Sequence, residues 1–73
     1  LKEYPASLEE FQKVLLRYPR SRKVPDALFK RALTYNRMKN PRSAALEFEK
    51  LIEKYPRHPL SQKASGRLRG MRK

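Results

Sequence analysis

One histidine, five serines and seven acids are the residues with chemistry to offer, and their spacing sets up none of it. His58 stands between Arg57 and Pro59, with no cysteine in the chain and no converging pair of carboxylates, so it reads as a surface turn residue and not a metal ligand. Ser7, Ser21, Ser43, Ser61 and Ser65 lack a base placed to take their proton, which nucleophilic catalysis requires. Glu9, Glu10 and Glu47 fall on segments that also carry lysine and read as solvated pairs. A phosphate loop needs several closely spaced glycines, and the two present are Gly66 and Gly70. The sequence therefore points away from an enzyme and calls for no metal or cofactor.

The chemistry that does stand out is charge. Lys and Arg number 19 against 7 Asp and Glu, a net +12 over 73 residues. The excess is not spread evenly. Residues 1–19 balance, residues 20–42 set eight basic side chains against Asp26, residues 43–56 are slightly acidic, and residues 57–73 hold six basic side chains and no acid. A surface of this kind concentrates anionic partners and speeds their approach in a salt-dependent way. The same residues could equally do no more than solvate outer helix faces.

The elements that carry these charges are marked by a duplication. Phe11-(x)6-Tyr18-Pro19-Arg20 recurs as Phe48-(x)6-Tyr55-Pro56-Arg57 at an offset of 37 residues, and the same offset pairs Glu10 with Glu47, Lys13 with Lys50 and Ala27 with Ala64. A period in the 30s marks a helical repeat array, whose units bury their apolar faces only against their neighbours. Six prolines punctuate it. Pro5, Pro25, Pro41 and Pro59 precede segments of helical apolar spacing, where a fixed φ suits the first helical position. Pro19 and Pro56 end helices instead, since each disfavours α conformation in the preceding tyrosine. Asn40 suits an N-cap before Pro41.

Four helices are predicted, near 5–18, 25–39, 41–55 and 59–71. Leu8, Phe11, Leu15 and Tyr18 make one stripe on the first, and Ala44 or Ala45, Phe48, Leu51, Ile52 and Tyr55 repeat it on the third. On the second, Leu28, Ala32 and Tyr35 lie beside Phe29 and Leu33. The fourth keeps Ala64, Leu68 and Met71, and its two glycines predict a frayed C-terminal end. The fold class is all-α, a single segment over 1–73, with Phe11, Leu15, Ala32, Tyr35, Phe48 and Leu51 as core. No apolar run has the roughly 18 residues of a membrane span. Leu1 in place of an initiator Met reads as a segment cut from a longer protein.

The residues resemble the tetratricopeptide repeat, a pair of antiparallel helices, A and B, stacked into a right-handed superhelix. Its B helix reads small residue, aromatic four later, proline eight after that; Ala44, Phe48 and Pro56 fit, as do Ser7, Phe11 and Pro19. Ala32 with Tyr35 fits the A helix, and Tyr4 falls at the aromatic position preceding a B helix, so the chain runs B–A–B–A. The string Tyr18-Pro19-Arg20-Ser21-Arg22-Lys23-Val24-Pro25-Asp26-Ala27-Leu28, and the ending Tyr55-Pro56…Ala64-(x)2-Arg67-Leu68, are similar to the C-terminal repeats of the Tol-Pal accessory proteins that coordinate cell division in Gram-negative bacteria. The stretched connection is also similar to that of tetratricopeptide lipoproteins of outer-membrane β-barrel assembly. Ala32 in place of the usual Gly, Lys39-Asn40 in place of a Gly-containing turn, and the high charge depart from that pattern.

What the resemblance implies is a periplasmic protein–protein interaction scaffold with a concave groove lined by A helices. Its ligand-facing positions fall on Asp26, Phe29, Leu33, Asn36 and Arg37, with Lys30 beside them, so Phe29, Lys30, Leu33, Asn36 and Arg37 are the expected partner-binding residues. Phe29 and Leu33, one turn apart, would offer apolar surface to an amphipathic helix or extended peptide, or would pack against a neighbouring repeat. The carboxylate clamp of chaperone-binding relatives needs polar groups where Leu33 sits. The partner is a protein or peptide, for which acidic character would suit the charge, and exposed half-repeats could self-associate. The alternative is a basic helical module for nucleic acid or an anionic membrane surface, favoured by charge alone.

Overall fold

The computed structural model describes residues 4–71, with side chains from Leu8 to Met71. Four helices follow one another: α1 (Tyr4–Arg17), α2 (Lys23–Arg37), α3 (Pro41–Lys54) and α4 (Pro59–Met71). The fold is the all-α helical-repeat arrangement the periodicity predicts. Each helix packs on the next, α2 also touches α4, and among the described residues α1 touches α2 alone. The result is a flat stack, 34 × 33 × 15 Å. Tyr4 begins α1, but its side chain and that of Ser7 lie outside the described residues, as do Leu1 and residues 72–73. Helix α4 is regular through Met71.

The duplication is written into the turns. In the first, Tyr18 N donates to Val14 O at 2.9 Å, Ser21 N to Tyr18 O at 3.0 Å and Val24 N to Ser21 O at 3.1 Å. In the second, Tyr55 N donates to Leu51 O at 2.9 Å, His58 N to Tyr55 O at 3.0 Å and Ser61 N to His58 O at 2.9 Å. Every pair is related by the 37-residue offset. Even the side-chain acceptors correspond: Ser21 Oγ accepts from Lys23 N, and His58 Nδ1 from Leu60 N. His58 is thus a helix cap in a half-buried turn, where spacing alone had given a surface turn residue.

Helix α2 corrects the predicted boundary. It begins at Lys23, so Pro25 is its third residue and not its first, and it ends at Arg37 instead of 39. A proline is tolerated there because the first four N–H groups of a helix have no intrahelical partner to lose. The α2–α3 turn closes with Asn40 N donating to Tyr35 O and Lys39 N to Asn36 O, while Lys39 takes a left-handed φ of 62°. That is where a glycine would ordinarily stand. Asn40 caps α3 as expected, its side chain accepting from Ser43 N at 3.4 Å with Pro41 next to it.

The core is Val24, Leu28, Ala32, Ala44, Phe48, Leu51, Ala64 and Leu68, where α2, α3 and α4 meet. Phe48, Leu51 and Ala32 are fully buried, as predicted. Leu15 and Tyr35 are half-buried against this cluster, and Phe11 is half-buried without joining it. The cause is position: among the described residues α1 packs on α2 alone. Tyr18, placed on the same stripe, is 62% exposed.

Glu47 reverses the reading of a solvated acid. It is 5% exposed, and its Oε1 lies 3.5 Å from Nε of Arg31, with Lys50 Nζ 3.5 Å from Oε2. Arg31 reaches three helices at once. Its other nitrogens donate to Gln12 Oε1 on α1 and to Tyr35 Oη on α2, and its guanidinium lies 5.8 Å from the Tyr35 ring centre.

Candidate partner-binding groove

A concavity of about 680 Å³ opens between α2 and α4, lined by Phe29 and Asn36 from α2 and by Lys63, Gly66, Arg67, Gly70 and Met71 from α4. Its apolar floor is Phe29, half-buried because its ring leans on Phe48 at 5.6 Å and 60°, and Met71. The two readings of Phe29, ligand surface and packing residue, are therefore not exclusive. One part of the ring holds the core and the rest faces the groove. Gly66 and Gly70, one turn apart, leave the α4 side of the floor bare, since a Cβ at either position would meet nothing within 4 Å. Asn36, Lys63 and Arg67 are exposed and form the polar border.

Of the expected binding residues, the groove brings together Phe29 and Asn36. Leu33 is half-buried and packs against the core. Lys30 is exposed and paired with Asp26 across one helical turn at 3.0 Å, and Arg37 is exposed at the end of α2 without lining the cavity. The α4 residues were missed, although the duplication contains them. Lys63, Gly66, Arg67 and Gly70 are the 37-residue counterparts of Asp26, Phe29, Lys30 and Leu33. Helix α4 thus repeats the register expected to face a ligand on α2, with bulk removed and positive charge added.

A second crevice of about 410 Å³ lies on the opposite register, lined by Gln12 and Leu15 of α1, Val24, Leu28 and Arg31 of α2, and Glu47, Lys50 and Lys54 of α3. Its centre is the Arg31–Glu47 pair, whose Nε and Oε1 have no other hydrogen-bond partner. The one acid of its lining, Glu47, already faces both Arg31 and Lys50, so this crevice reads as structural. Among the described residues no group of three or more His, Cys, Asp or Glu could hold a metal ion, and no helix is long and apolar enough to cross a membrane.

An A helix, a capped turn and a B helix of this length, with Ala44 and Phe48 on the buried face of the second, define one recognisable unit. The family model of the tetratricopeptide repeat matches residues 26–58. That span is most of α2, the turn and all of α3, ending on the capping His58. It supports a tetratricopeptide repeat protein, and such repeats generally mediate protein–protein interaction as non-catalytic modules. The matched repeat supplies one wall of the groove, and α4 the other. Comparisons with curated proteins and with solved structures return no match.

Proposed function

We propose that the chain is a non-catalytic tetratricopeptide scaffold that holds a partner's peptide or amphipathic helix between α2 and α4, within a bacterial cell-envelope complex. The observation that carries the reading is the groove itself: an apolar floor of Phe29 and Met71, a bare glycine strip, and a border of Asn36, Lys63 and Arg67. A helix laid on Gly66 and Gly70 can approach α4 closely, because no side chain intervenes. The cationic border favours a ligand with acidic residues flanking its apolar anchors. The periplasmic setting and the link to Tol-Pal accessory proteins rest on the string from Tyr18 to Leu28 and are the finer part of the proposal.

The test is a pull-down from a nuclease-treated Gram-negative periplasmic extract, comparing the native chain with a Lys63→Glu/Arg67→Glu variant at low and high salt. A discrete protein retained by the native chain at high salt and lost by the variant supports the scaffold. Recovery of the same proteins by both chains sinks the groove.

The basic-module reading gains one observation of its own. Tyr18, expected to pack, is exposed beside Arg17 in sequence and two residues from Arg20, and so is free to stack on a base. Steep salt dependence of binding to a generic single-stranded oligonucleotide, lost in Tyr18→Ala, would favour it.

A further inference from the structure

The two duplicated turns meet at one end of the stack, where α1 and α3 finish and α2 and α4 begin. Between them lies a cavity of about 520 Å³, lined by Pro19, Arg20, Ser21, Arg22, Pro25, Tyr55 and His58. It shares no residue with the α2–α4 groove. We propose that this cavity is a second binding site, one that takes a glutamate or aspartate side chain of an acidic peptide together with the apolar residue next to it.

The polar groups around it are donors. Arg20 and Arg22 are exposed, and neither is ion-paired among the described residues. The Ser21 hydroxyl accepts from Lys23 N at 3.1 Å, which leaves its own hydrogen to give. His58 Nδ1 accepts from Leu60 N at 3.0 Å, which places the ring hydrogen on Nε2, a further donor. Among the described residues no acid lines the cavity, and the nearest in sequence, Asp26, is held by Lys30. The first N–H groups of α2 are already taken by Ser21, so the side chains would hold the anion. Two guanidiniums match a carboxylate in geometry as well as charge.

The remaining wall selects among anions. Pro19, Pro25 and the half-buried ring of Tyr55, edge-on to His58 at 6.3 Å, add apolar surface that a bare phosphate leaves uncovered. An apolar side chain adjacent to the carboxylate fills that wall. A peptide of alternating acidic and apolar character meets both demands, and a nucleic-acid backbone meets one.

The experiment titrates the isotopically labelled intact chain with a blocked peptide of alternating glutamate and phenylalanine, followed by amide chemical shifts. Shifts are expected at Ser21, Lys23, Tyr55, His58 and Leu60. Arg20→Ala/Arg22→Ala should weaken binding by about tenfold or more, as expected for charge-assisted contacts. The charge-matched Lys39→Ala/Arg42→Ala, remote from the cavity lining, should leave it within about twofold. Unchanged Phe48 signals report that each variant is folded. Absence of shifts at the turns, equal losses in both double variants, or tighter binding of an oligothymidylate at the same residues would each overturn the proposal.

Discussion

Ser21 and His58 stand 37 residues apart and do the same work with different atoms. Each side chain accepts the backbone N–H two residues on, at 3.1 Å for the Ser21 hydroxyl and 3.0 Å for the His58 ring. Removing a cap of this kind typically costs about 1 kcal/mol. His58→Ala should therefore lower stability in urea unfolding by about that amount, while His58→Ser, which copies the first turn, should recover most of it. Equal losses in the two variants would deny the imidazole its capping role.

The Arg31–Glu47 pair makes a second prediction. Arg31→Met strands a buried carboxylate, and the usual cost of breaking such a pair is about 3–5 kcal/mol. Lys50 remains near Glu47, so the low end, about 3 kcal/mol, is expected. Adding Glu47→Leu should restore much of the loss, because an apolar pair of similar volume has no charge to desolvate. Additive losses in a double-mutant cycle would show the two residues to be uncoupled.

The unequal burial of the duplicated phenylalanines is measurable. Phe48→Ala should cost about 3–5 kcal/mol, enough to unfold most of a domain this small. Its counterpart Phe11, half-buried and outside the main cluster, should cost only about 1 kcal/mol. Comparable melting curves for both variants would place α1 in the core.

Gly66→Ala and Gly70→Ala separate stability from binding. Both positions are helical with open space around a Cβ, so each change should stabilise the chain by about 0.5–1 kcal/mol. The same methyl groups roughen the groove floor, and affinity for a groove ligand should fall even as the melting temperature rises. A rise in both would remove the glycine strip from the site.

The packing of α2 on α3 was legible because its residues recur at helical spacing, and the duplication supplied the turns. Glu47 was misread by looking along α3 to Lys50, when its position between Ala44, Phe48 and Leu51 put it on the apolar stripe. Arg31 holds the same place among Leu28, Ala32 and Tyr35. Two opposite charges on two facing stripes are a pair that spacing contains, but only pairwise geometry reveals. The half of the groove on α4 was likewise present in the offset, hidden because Gly66 and Gly70 look like helix breakers when read as local propensity. Arg20, Ser21, Arg22 and His58 come together through the meeting of two turns, which no local pattern encodes.

Because, among the described residues, α1 is held by α2 alone while α4 is held by both α2 and α3, the stack has one loosely held helix and one tied one. In a linear array each unit contributes its own term plus a coupling to its neighbours. Helix α1 therefore carries a single coupling and should open first, without dragging the rest of the stack. Native-state hydrogen exchange should show α1 amides protected by less than the global unfolding free energy, and amides near Phe48 and Leu51 by nearly all of it. The repeat that sets the architecture also sets the order in which it comes apart.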